Sequence, residues 1–224
     1  MSVNYAFTGI LSKSLTTTSA KNEASKTMST LAIALWICVG GAFECGPRNN
    51  FEVVGPHDQR VRLSDYADRE LVVVVFFGTE CPLAKLYGPR LNALAGQYSA
   101  AGVAFLGITA NEGDSSDDLA RFANQNGIRF PLFKDPDGAV ADQFGATRQF
   151  EVFVLDHCRN VRYHGRVDDQ YAPGVWRTEP TRDDLKEALE DLLSGNSAIA
   201  VPETVTSGSL IGRSRRRTSP RTSG

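Results

Sequence analysis

An α/β domain, with a mixed central sheet and helices on both faces, is what this sequence of 224 residues predicts. Three observations carry the prediction. Leu71 to Phe77 is an unbroken run of β-branched and aromatic residues, the mark of a strand buried on both faces. A stretch with helical period and a second apolar run follow it, which together read as a βαβ unit with parallel strands. Two further runs, Glu151 to Leu155 and Val161 to Val167, flank a polar link and read as an antiparallel hairpin. The predicted order is βαβ, helix, hairpin, helix.

Each element has its local reason. Gly78-Thr79-Glu80-Cys81-Pro82 breaks the first strand. Leu83, Leu86, Tyr87, Leu91, Leu94, Ala95 and Tyr98 then recur at helical spacing, and Pro82 suits a first turn because no amide hydrogen is missed there. Gly88-Pro89 inside this pattern predicts a kink. Gly102 closes the helix, and Val103 to Thr109 forms the second strand. Ser115 with Asp118 reads as a capping box for a helix carrying Leu119, Phe122 and Ala123. Asp135-Pro-Asp-Gly138 is a turn, followed by a short helix from Ala139 to Phe144. Thr181 with Asp184 is expected to cap a final helix carrying Leu185, Ala188, Leu189 and Leu192, which Gly195 stops.

Composition narrows the function classes. Apolar residues make up 42 % of the chain, enough for a sizeable core, and charged residues 22 %. No apolar run approaches the ~20 residues of a membrane span, which excludes a polytopic membrane protein. Four cysteines without a C-x-x-C pair exclude a disulfide scaffold and paired metal spacing. The net charge of −2 conceals +2 in residues 1–30, +4 in residues 196–224 and −8 between them. An acidic middle makes nucleic acid a poor partner.

The chain divides into a targeting segment at 1–42, a domain at 43–195 and a disordered Arg-rich tail at 196–224. Lys26 precedes the run LAIALWICVGGAF, and Gly40 and Ala42 supply small residues at the exit. That pattern predicts export to a periplasmic or extracellular compartment, by a signal cleaved after Ala42 or retained as a membrane anchor. The mature chain would keep Cys45, Cys81 and Cys158.

Cys81 is the focal residue. It stands where a buried strand ends and a helix begins, at the functional edge of an α/β sheet, where the positive end of the helix dipole favours the reactive thiolate. The bland alternative is a small apolar filler. The stretch Phe77-Gly-Thr-Glu-Cys81-Pro-Leu-Ala-Lys85-Leu-Tyr87 resembles the active-site stretch of peroxiredoxin-like proteins in the thioredoxin-fold redoxin family, which includes alkyl hydroperoxide reductase and thiol-specific antioxidant proteins. Gly107-Ile-Thr-Ala-Asn111, Phe133-Lys-Asp-Pro-Asp-Gly138, Val152-Phe-Val-Leu-Asp156 and Tyr163 to Tyr171 match in order, so the resemblance covers roughly residues 50–194. It implies a thioredoxin-like fold and thiol-based redox chemistry. An external thiol, a disulfide protein or a peroxide would be the partner, and no cofactor or metal is expected.

The departures from the family pattern shape the site. Ala84 stands where thioredoxins carry the second cysteine. Gly78 stands where typical peroxiredoxins carry the threonine that positions peroxide; Thr79 is one residue away and is the substitute candidate. Phe150 falls at the family's cis-proline position. Arg148, just before the strand whose start faces Cys81, is a candidate to stabilise its thiolate, and Lys85 reads as a solvated side chain. Cys158 sits at the opposite sheet edge, well over about 15 Å from Cys81 at ~3.3 Å per extended residue, so no bond between them is expected. Cys45 is the remaining internal candidate for pairing with Cys81. His57, His157 and His164 are scattered, and Asp168, Asp169 and Tyr171 read as fixing the loop before the last helix. The expectation is therefore a single-cysteine redox protein with Cys81, Arg148 and Thr79 at its site. Its rival is a thioredoxin-fold binding module that has lost this chemistry.

Overall fold

The computed structural model describes residues 50–172, 174–196 and 208–212. The targeting segment expected at 1–42, Cys38, Cys45 and the arginines from Arg213 to Arg221 lie outside them. The strands are β1 Glu52–Val54, β2 Arg60–Arg62, β3 Leu71–Phe76, β4 Val103–Thr109, β5 Leu132–Lys134, β6 Val152–Leu155, β7 Val161–Gly165, β8 Tyr171–Ala172 and β9 Val175–Trp176. The helices are α1 Pro82–Tyr98, α2 Ser116–Asn126, α3 Ala139–Phe144 and α4 Asp184–Leu193.

Seven strands form one sheet in the order β2-β1-β5-β4-β3-β6-β7. Central β3 runs parallel to β4, with Leu71 opposite Val103 and Phe76 opposite Ile108. On its other side β6 is antiparallel, with Val72 opposite Leu155 and Val75 opposite Val152. Strand pleating divides the apolar run between two cores. Leu71, Val73, Val75 and Phe77 pack on one face with residues of α1, α2 and α4. Val72, Val74 and Phe76 pack on the other with Val140 and Ala141 of α3, Phe51 and Leu63. Each such side chain contributes about 1.5–3 kcal/mol by leaving water. This is the thioredoxin-like fold, with helices on both faces of a mixed sheet.

Two local expectations need correction. Thr181 does not cap α4; Asp183 is its N-cap. Thr181 is claimed by Asp169, to which it donates its hydroxyl and, at 2.7 Å, its amide. A buried carboxylate must collect donors, and this one takes Thr181 from the helix end. The tail is not wholly unstructured either, since residues 208–212 pair with the domain beside Cys81. The capping box at Ser115 is formed, with Ser115 Oγ accepting from the Asp118 amide at 3.1 Å and the Asp118 carboxylate accepting from the Ser115 amide at 3.0 Å. Helix α1 continues past Pro89 for a total of 17 residues.

Candidate active site

The end of β3 delivers Cys81 as the N-cap of α1, in extended conformation, with Pro82 in the first turn. Its amide donates to the Gly78 carbonyl at 3.3 Å and its carbonyl accepts from the Ala84 amide at 2.9 Å, so both sides of the turn are closed. Cys81 is a free thiol and only 4 % exposed. It lines a cleft of about 320 Å³ together with Glu80, Asn111, Asp114, Gln149 and Ser209. Cys158, by contrast, is disulfide-bonded, and its partner lies outside the described residues.

Asp114, buried near the end of β4, holds the turn before Cys81. Its carboxylate accepts from the Thr79 hydroxyl, from the Thr109 hydroxyl at 2.8 Å and from the Asn111 amide group at 3.2 Å. The Thr79 hydroxyl, the substitute candidate for positioning peroxide, donates to Asp114 and so ties the turn before Cys81 to the end of β4.

The room that a side chain at position 78 would fill is taken by Gln149. A Cβ built on Gly78 would overlap the Gln149 carboxamide. Gln149 is 4 % exposed, and its Oε1 is buried without a hydrogen-bond partner, while Nε2 donates to Asn111 Oδ1 at 3.4 Å.

Thr147 and Arg148 are held by Glu151. Its carboxylate accepts from the Thr147 amide at 3.1 Å and hydroxyl at 3.0 Å and from the Arg148 amide at 2.8 Å, and it meets His164 Nε2 at 3.1 Å. Burial raises the Glu151 pKa, but these partners outweigh burial and hold it below the usual value. Phe150 follows in the left-handed region at φ 62°, uncommon for a bulky residue. Its amide donates to the Phe76 carbonyl at 2.6 Å, and its ring packs 5.1 Å from Phe77 and 5.4 Å from Tyr87. The position where the family carries proline is here an aromatic anchor for the site floor.

Arg148 does not reach Cys81 through any described contact. Its guanidinium donates to the Gly208 carbonyl at 3.1 Å. Lys85 is exposed on α1. Behind the site, the wholly buried Asp168 accepts from the Tyr87 hydroxyl at 3.0 Å and from the Arg90 guanidinium, which ties α1 to the loop before α4. Asp169 anchors the same loop. Burial pushes its carboxyl up, yet donors from Thr181, Arg182 and Arg177 bring it down to about 2. Gln149, Asp114 and Ser209 are site residues that the sequence reading did not find. The one local signal was Gly78 itself, a small residue where the family has a larger one.

The AhpC/TSA family pattern matches residues 47–164, more than half of the chain. This chain belongs to the AhpC/TSA family. Among its relatives is the thiol-disulfide oxidoreductase ResA of Halalkalibacterium halodurans, 32 % identical over 119 residues, which are 53 % of this chain and 62 % of that protein. The match therefore spans less than two thirds of that relative's length. Among solved structures, a hypothetical protein from Sinorhizobium meliloti superposes with a TM-score of 0.66 at 24 % identity, covering 75 % of this chain and 92 % of the other. An uncharacterized conserved protein from Geobacillus kaustophilus gives the same TM-score of 0.66 at 24 % identity, covering 79 % and 95 %. Both support the thioredoxin-like fold of this AhpC/TSA protein.

Proposed function

We propose that this AhpC/TSA protein exchanges thiols and disulfides through one nucleophile, Cys81. The observation that carries the reading is a free cysteine at the N-cap position of α1, at the end of the central strand, on a cleft lined by Gln149 with its Oε1 unpaired. The kinship with a thiol-disulfide oxidoreductase supports it. The Cys81 thiolate attacks one sulfur of a partner disulfide, forms a mixed disulfide and releases the partner's other sulfur as a thiol. An external thiol then attacks the mixed disulfide and frees Cys81. A vicinal thiol is absent at Ala84, so resolution comes from outside. Disulfide is favoured over peroxide because Gly78 leaves the family's peroxide-positioning hydroxyl out and Thr79 is bound to Asp114.

Thr79 acts as a positioning residue for the Cys81 turn. Arg148 acts on the site indirectly, by holding the Gly208 carbonyl next to Ser209. Export, with or without an anchor formed by residues 1–42, completes the reading, because exported compartments keep partner disulfides oxidised. Incubation with oxidised glutathione followed by intact-mass analysis tests the chemistry. Wild type should gain one glutathionyl adduct at Cys81 that an added thiol removes, and Cys81→Ser should gain none. Equal adduct formation in both proteins would overturn the proposal, and a Cys81 that stays unmodified even when substitution displaces residues 208–212 would favour the binding module.

A further inference from the structure

The segment 208–212 lies across the cleft as a short added strand. Leu210 bridges antiparallel to Arg148. The Gln149 amide donates to the Ser209 carbonyl at 2.9 Å, and the Ile211 amide donates to the Thr147 carbonyl at 3.0 Å. On the other wall, the Glu112 amide donates to the Gly212 carbonyl and the Gly212 amide to Asn111 Oδ1, each at 3.0 Å. Ile211 packs on the α3-side core, while Leu210 stays exposed. Position 208 must be glycine, because a Cβ there would overlap the Gln149 carbonyl. The Ser209 hydroxyl points at the reacting atom, with Oγ donating to Cys81 Sγ at 3.8 Å.

These contacts are mostly backbone to backbone, so the seat takes an extended peptide with little regard to side chains except at two points. One is the glycine against Gln149. The other is the residue facing Cys81, where serine and cysteine differ by a single atom, oxygen for sulfur. We propose that residues 208–212 are a built-in substrate mimic. They occupy the seat of an extended peptide that carries a disulfide-bonded cysteine, with Ser209 where that cysteine belongs, and Cys81 reacts once the strand is displaced. The proposal rests on the thiol-exchange reading above. Exchange would join Cys81 Sγ to the partner's sulfur at the place of Ser209 Oγ and send the partner's second sulfur off as a thiol. Arg148, released from the Gly208 carbonyl, would take the matching carbonyl of the partner. The unpaired Gln149 Oε1 on the cleft wall offers an acceptor that the mimic leaves unused.

Two kinds of variant in the full chain test this. Gly208→Val forces the strand off the Gln149 carbonyl, and Ile211→Asp removes its apolar anchor. Both should raise the rate of Cys81 alkylation by iodoacetamide about tenfold or more, because reactivity follows the fraction of molecules with the site open. Circular dichroism of each variant checks that the domain is folded. Ser209→Cys, mildly oxidised with glutathione, should close a bond between Cys81 and position 209, seen as a joined peptide in a non-reduced digest. Unchanged alkylation in both strand variants, or an absent bond in Ser209→Cys, would overturn the mimic. Faster alkylation in Gly208→Val without any glutathionyl adduct at Cys81 would leave residues 208–212 as a cover over Cys81 but overturn the thiol-exchange reading and, with it, the mimic; a glutathionyl adduct with unchanged alkylation would overturn the mimic alone.

Discussion

Removing the Asp114 carboxylate should loosen the turn that carries Cys81, and its cost can be worked from the contacts. Asp114 accepts from the Thr109 hydroxyl at 2.8 Å, the Thr79 hydroxyl and the Asn111 amide group at 3.2 Å. A hydrogen bond to a charged group is worth about 1.5–3 kcal/mol, and a buried group left unpaired costs about 1–3 kcal/mol. Thr109 is buried, so Asp114→Ala strands its hydroxyl, whereas Asn111 and Thr79 are partly accessible and recover water. Asp114→Ala should then cost about 3 kcal/mol and Thr79→Val about 1.5 kcal/mol. With a urea m-value of about 2 kcal/mol/M, the Asp114→Ala midpoint falls by about 1.5 M. The double variant should lose less than the sum, because Thr79 and Asp114 share one bond. A coupling of about 1 kcal/mol is expected, against the ~0.3–0.5 kcal/mol scatter of independent sites. Additive losses within that scatter would show that the Thr79–Asp114 bond does not hold the turn.

Phe150→Ala should cost about 3–5 kcal/mol, since the buried ring is lost while the left-handed backbone remains, and denaturant unfolding measures it. Asp168→Asn should destabilise the domain by breaking the Arg90 ion pair, and Arg90→Met in the same background should restore part of the loss, read by the same unfolding curves. The carboxyls of Asp169 and Glu151 are both held below their ordinary values, so they stabilise the fold fully above about pH 4–4.5. That contribution should fade as pH falls and, for Asp169, be gone near about 2, whereas Asp169→Asn should flatten the acid limb of a stability–pH curve. An unchanged acid limb would show that Asp169 carries no linkage.

The legible parts of the sequence are those whose cause is local. Leu71 to Phe76 announces β3 because it feeds two cores at once, and the βαβ unit follows from it. Cys81 is legible because strand end, glycine, cysteine and proline are adjacent in the chain. Gln149 is not, since its approach to Gly78 exists only through the antiparallel pairing of β6 with β3, some seventy residues apart in sequence. Strand β5, with three residues, is too short for any period to show. Thr181 misleads because its spacing to Asp184 fits a cap, whereas a distant carboxylate, Asp169, wins its donors. Residues 208–212 precede an arginine-rich run and carry no period of their own, and only the distant groups at 147–149 and 111–112 hold them in place.

The antiparallel course of β6 beside β3 also separates two sulfur states within one molecule. β3 exits toward Cys81, while β6 exits at Leu155, opposite Val72, and leads on to Cys158 at the other end of the sheet. A free thiol and a disulfide in one chain invite scrambling, because a thiolate attacks whichever disulfide it can touch. Here the strand itself is the spacer. Its length, at ~3.3 Å per residue, exceeds the ~7 Å within which two cysteine Cα atoms must lie to bond. The molecule can therefore keep its bonded Cys158 at one pole and the free Cys81 thiol at the other, as a battery keeps its terminals apart, for as long as the sheet between them stays folded.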